Sequence, residues 1–132
     1  MRRLNTIAIT LPDACPDEAA KIVRLLTSGA IWRVHIRKPE WTIEQTAALI
    51  AHIPLPLRSR LSLHDHHSLA IDMQLGGLHL NARNPVPPRS WHGLTSRSCH
   101  SLAELEASSA DYNFLSPICN SISRAGYAAA FN

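Results

Sequence analysis

Short runs of β-branched and aliphatic residues alternate along this chain with longer runs whose apolar residues recur at helical spacing, and strand-like runs occur six times. "TIAIT" (6–10) reads as a strand. The following "PDEAAKIVRLLTSG" places Ala19, Ile22, Val23 and Leu26 on one helical face, with Pro16 near its first turn and Gly29 after its end. "AIWRVHIR" (30–37) alternates again as a strand, and "TIEQTAALIAHI" is a helix opened by Thr42, with Gln45 completing a capping-box pattern. "RLSLHD" is a strand, "HSLAIDMQLGG" a short helix that Gly76 can end, and "GLHLN" a strand. "RNPVPPRSWHG" is a proline-rich loop, "LTSRSC" a weak strand, "HSLAELEASSA" a helix with Ser101 and Glu104 as a capping box, and "DYNFLSPIC" the last strand. Strands alternating with helices imply right-handed βαβ units on a parallel sheet. The expected fold class is therefore α/β, a parallel (β/α) barrel of TIM type, with residues 1–132 forming a single domain of six βα units.

Composition narrows the partners. The chain is 45% hydrophobic and 17% charged, a globular balance, and its net charge of +3 mildly favours anionic ligands. Lys21 and Lys38 are the only lysines. The eleven arginines are scattered, and aromatics make up 5%, which argues against a nucleic-acid arm or a stacking platform. Cys15, Cys99 and Cys119 are odd in number and far apart, as free thiols in a reducing compartment would be. No sustained apolar run follows the basic N-terminus, and none approaches the ~20 residues of a membrane helix, so the expectation is a cytoplasmic protein without a membrane partner.

Polar residues cluster where the strands end: Arg37 and Lys38, His64 and Asp65, His79 and Asn81, Ser98, and Ser116. In parallel α/β folds ligands bind at the carboxyl ends of strands. Arg37 offers a planar fork to a phosphate and Lys38 a point charge. In "LHDHHSLA" (63–70) adjacent extended residues point to opposite faces, so His64 and His66 share a side and Asp65 does not. The usual zinc spacings are absent there, and a single carboxylate near phosphate-binding cations suits Mg²⁺ better than a cluster of His64, His66 and His67 suits zinc. Ser98 and His100 lack the surroundings of a hydrolase nucleophile, and Ser101 between them and the helix reads as a cap. Ser121, Ser123 and Arg124 supply hydroxyls and a cation of the kind a phosphate or pyrophosphate needs.

"HIRKP", "LHDHHSLA", "GGLHLN", "SRSCHSLAELE" and "DYNFLSPICNSISRAGY", in this order, resemble the thiamine phosphate synthase / TenI family of (β/α)8 barrels. The resemblance implies coupling of an aminopyrimidine methyl pyrophosphate to a thiazole phosphate, with release of pyrophosphate assisted by Mg²⁺. It implies phosphate-facing or catalytic roles for Arg37, Lys38, Ser98, His100 and Arg124, and substrate contacts from His35, His64, Ser121 and Ser123. Asp65 falls on one Mg²⁺ aspartate of the family, and Asn84 stands where the family has the second. Lys38 lies one place before the family's lysine, and His64 replaces an amide. The thiazole tautomerase branch, with His100 or His35 as acid/base, and a non-catalytic phosphate-ligand binder are the alternative readings.

Complete (β/α)8 barrels take at least about 200 residues. The six strands here lead to the expectation of a barrel truncated after the sixth strand, as a fragment or naturally. Two open edges and an unfilled interior would then favour pairing into a homo-oligomer.

Overall fold

The computed structural model describes residues 4–116, so the expected phosphate loop of Ser121, Ser123 and Arg124 lies outside the described residues. Six strands form one sheet in sequence order, each parallel to the next: β1 (Ile7–Ile9), β2 (Arg33–Ile36), β3 (Leu61–Leu63), β4 (Gly77–Leu80), β5 (Leu94–Cys99) and β6 (Tyr112–Leu115). The connecting helices are α1 (Glu18–Thr27), α2 (Ile43–Ala51), α3 (Leu55–Arg58), α4 (Ser68–Asp72) and α5 (Leu102–Ala107). The sheet curls: Tyr112 on β6 reaches His35 on β2, four strands away in the sheet, with Oη 2.7 Å from Nε2. The fold is thus a curled, open wall of a TIM-type barrel. Among the described residues no helix is long and apolar enough to cross a membrane.

The period-two alternation divides the strands' side chains between two environments. Val34, Ile36, Leu61, Leu63 and Leu78 face the helices and join Ile22, Leu26, Ile50, Ile53, Leu69, Ala70 and Leu75 in one core. The intervening positions point into the concave side, where Arg33, His35, Ser62, His79 and Ser96 are all buried. Between β2 and β5 the concave side is therefore occupied by side chains, while Ile9 on β1 is 49% exposed. The filling is polar and aromatic, and the apolar core lies outside the sheet.

Local signals explain most boundaries. Thr42 and Gln45 form the expected reciprocal capping box at α2. At α5 the Ser101 hydroxyl accepts from the Glu104 N–H, but the Glu104 carboxylate reaches the N–H of His100 rather than that of Ser101. The helix α4 stops at Asp72, and Gln74 takes the left-handed conformation (φ 61°), so Gly76 is not its cap. Gly76 has another role. A β-carbon there would lie 1.8 Å from the Ser59 carbonyl oxygen, and a backbone atom cannot swing aside. Gly76→Ala is expected to cost about 1–3 kcal/mol by overpacking. An unchanged urea midpoint would show that this approach is looser than the structure has it.

Candidate functional site

The centre of the concave face is a cluster of imidazoles. His35 projects from β2, His64 follows β3 and His79 projects from β4, and their relative exposures are 0%, 4% and 1%. The His35 Nδ1 lies 2.9 Å from the His64 Nε2, and the His64 ring stacks on His79 with centroids 4.0 Å apart. The far nitrogen of His35 meets the Tyr112 hydroxyl at 2.7 Å. His79 lies between two hydroxyls, Ser96 Oγ 2.8 Å from Nδ1 and Ser98 Oγ 2.7 Å from Nε2. Phe114 packs on His35 and His79, with centroids 5.0 and 4.9 Å away.

Burial keeps these rings neutral. It takes water from the imidazolium form, and neighbouring rings and guanidinium groups add to the penalty. The pKa falls from 6.5 to about 3 for His35, chiefly through burial, then His79 and Arg33. For His64 it falls to about 2, through burial, then His79, His35, Arg37 and Arg83. For His79 it falls to about 4, through burial, then His67, Arg83 and Arg97. A ring held neutral has one nitrogen free to accept a proton or a metal.

At the strands' carboxyl ends lies a second, charged corner. Asp65 accepts from Arg83 through both oxygens, at 3.0 and 3.2 Å, and from the Asn84 side-chain amide at 3.1 Å. These bonds hold the Arg83 pKa above its ordinary value. Asn81 and Asn84 both donate to the His64 carbonyl at 3.3 Å, which fixes the corner to the end of β3. Arg37, half-buried, has its backbone N–H bonded to Thr10 Oγ1 at 3.0 Å, and among the described residues its side chain makes no hydrogen bond. Its charge contributes to depressing His64. Asp65 and Asn84 thus meet beside the His64 carbonyl, and the Arg37 charge lies within electrostatic reach of the His64 ring.

The donors suit Mg²⁺ in kind, since that ion takes one or two carboxylates and completes its shell with substrate oxygens. Asp65 supplies the carboxylate and Asn84 an amide oxygen, once the amide turns its carbonyl inward. The Arg83 side chain is half exposed, at 52%, so its ion pair with Asp65 is a weak competitor.

The remaining expected residues are placed differently. The Lys38 ammonium is buried and donates to the Leu11 carbonyl, the Asp13 carbonyl and Glu18 Oε2 at 2.7, 2.6 and 2.8 Å. All three donors are engaged in joining the end of β2 to the loop before α1. Ser98 partners His79 rather than His100, and the exposed His100 bonds the Ser116 carbonyl at 2.9 Å. His66 bonds the Trp41 carbonyl. His67 is buried against the His79 carbonyl at 3.0 Å and is not the surface residue its place at a helix entrance suggests.

His79, Tyr112 and Ser96 were not singled out as site residues by the sequence. Alternation offered one signal: His79 in "GLHL" and Tyr112 in "YNFL" occupy the face opposite the leucines. A cavity of about 730 Å³ lined by Leu26, Ala30, Trp32, Leu57 and Arg60 contains none of these site residues.

No protein-family model and no curated protein matches the chain. Among solved structures it is similar to the thiamine phosphate pyrophosphorylase from Bacteroides thetaiotaomicron, with 35% sequence identity and a TM-score of 0.79. The match covers 87% of this chain and 59% of that one, so the fold described here corresponds to a little under three fifths of that enzyme.

Proposed function

We propose that this chain carries the aminopyrimidine and pyrophosphate end of a thiamine phosphate synthase-like transferase. The observation that carries the reading is the grouping of Arg37, His64, Asp65 and Asn84 at the strands' carboxyl ends, in a chain 35% identical to a thiamine phosphate pyrophosphorylase. In the proposed reaction the bond between the pyrimidine methylene carbon and the pyrophosphate oxygen breaks. Pyrophosphate leaves with the electron pair, and the thiazole nitrogen's lone pair closes the new C–N bond. Arg37 would hold the departing anion through its planar fork. Asp65 and Asn84 would hold Mg²⁺, which neutralises charge on the leaving group when bound. Ser121, Ser123 and Arg124 would complete the grip on pyrophosphate, and Ser98 and His100 would line the same end. Lys38 would have to give up its bond to Glu18 to take part.

Pyrophosphate release and thiamine phosphate formation, measured with both substrates and Mg²⁺, test this reading. Asp65→Asn is expected to lower the rate at least about tenfold, equivalent to about 1.4 kcal/mol of barrier. Glu106→Gln, on the exposed face of α5, is expected to leave it unchanged. No product from the unaltered chain, or equal losses in the two variants, would reject the assignment.

The hydrogen-bonded run Tyr112–His35–His64 favours a second reading, isomerisation of the thiazole by proton transfer. Aromatisation of the thiazole phosphate tautomer in EDTA would support it, and a strict Mg²⁺ requirement would exclude it.

A further inference from the structure

We propose that His35, His64 and His79 form a three-histidine site for a dication of the Zn²⁺ class, adjoining at His64 the carboxylate corner at Asp65. One ring nitrogen from each residue lies within 4.8 Å of the other two, and all three residues are buried. Zinc bound by imidazole needs nitrogens about 2.0–2.1 Å from the ion, which sets about 3.4 Å between ligands in a tetrahedron. The His35–His64 pair, at 2.9 Å, has to open by about half an ångström to meet that spacing. His35 and His79 stand on β2 and β4, and His64 directly follows β3 between them, so the three rings project from adjacent strands.

Two features distinguish this cluster from a merely hydrogen-bonded core. The first is the outer shell. A ligating histidine characteristically gives its other N–H to an oxygen, which fixes the tautomer and raises the basicity of the bound nitrogen. His35 has the Tyr112 hydroxyl in that position. His79 has a serine hydroxyl on either nitrogen, so whichever one binds, the other is served. The second is donor type. Three neutral imidazoles suit Zn²⁺, Co²⁺, Ni²⁺ or Cu²⁺ and not Mg²⁺ or Ca²⁺, whereas the Asp65–Asn84 corner offers oxygens. Three protein ligands also leave a fourth position open, as catalytic rather than structural zinc sites do. With Arg33, Arg37, Arg83 and Arg97 around the cluster, that position favours an anion.

The probe is Co²⁺ alone, added to the EDTA-treated, tag-free chain. One equivalent is expected to bind with the visible absorption of a four- or five-coordinate nitrogen site, and one equivalent of Zn²⁺ is expected to abolish the colour. His79→Asn and His35→Gln are expected to remove the absorption. A His52→Asn/His92→Asn variant, which alters two exposed histidines, should keep it. Should a buried-histidine variant fail to fold, ring ¹⁵N resonances of the unaltered chain decide the matter, since Zn²⁺ must shift one nitrogen in each of three rings. Absence of colour, loss of colour in the surface variant instead, or unmoved ring resonances would overturn the site.

Discussion

Lowering the pH from 7 to 5, with EDTA present, is expected to destabilise the chain by several kcal/mol, read as a falling urea midpoint. The unfolded chain takes up protons on His35, His64 and His79 near pH 6.5, whereas the folded chain holds them unprotonated down to about pH 3, 2 and 4. Between these values the unfolded state binds more protons, so stability falls with falling pH. Each ring contributes a slope of about 1.4 kcal/mol per pH unit. The contribution is fully present above pH 6.5 and is lost as pH falls, toward about 4 for His79, 3 for His35 and 2 for His64. At pH 5 each ring accounts for about 2 kcal/mol, and together they approach the ~5–15 kcal/mol that hold a domain folded. His64→Asn should flatten the dependence by about a third. A midpoint indifferent to pH over this range would mean that the rings are hydrated and not packed as described.

Lys38→Met is expected to cost about 3–5 kcal/mol of stability, because it leaves the Glu18 carboxylate without the cation that pairs with it among the described residues, in a poorly hydrated place. The side chains are 1% and 11% exposed, and Glu18 Oε1 already has no partner. Glu18→Gln in the same background should restore part of the loss, and a double-mutant cycle on urea midpoints measures the coupling. A Lys38→Met chain of unchanged stability that no longer releases pyrophosphate would reverse the conclusion, giving the ammonium to the substrate.

The order of strands and helices is legible in the sequence because it depends on local signals: alternation, caps and turn residues. The short α3 shows no helical periodicity in sequence; Pro54 is its cap and Pro56 lies in its first turn, where proline is tolerated. The candidate site was legible only in part. Asp65 follows β3 and Asn84 follows β4, so parallel pairing of adjacent strands brings the two side chains within hydrogen-bond distance. His35 and Tyr112 are 77 residues apart, and no local rule pairs them. Ser98 and His100 stand two apart in sequence, but on a strand Ser98 meets a side chain of the neighbouring strand, His79, whose register partner is Ser96. Lys38 was read as a free cation because nothing in "HIRKPEW" reveals that Glu18, twenty residues earlier, is waiting for it.

The division of β2, β3 and β4 between an apolar outer face and a polar inner face has an evolutionary consequence. The residues that hold the sheet to its helices are not those that line the concave side. Substitutions at inward positions can therefore change which atoms meet a ligand while leaving Val34, Ile36, Leu63 and Leu78 untouched. His35 and His79 occupy inward positions of this kind. In such an architecture, chemistry can drift at positions that adhesion does not use.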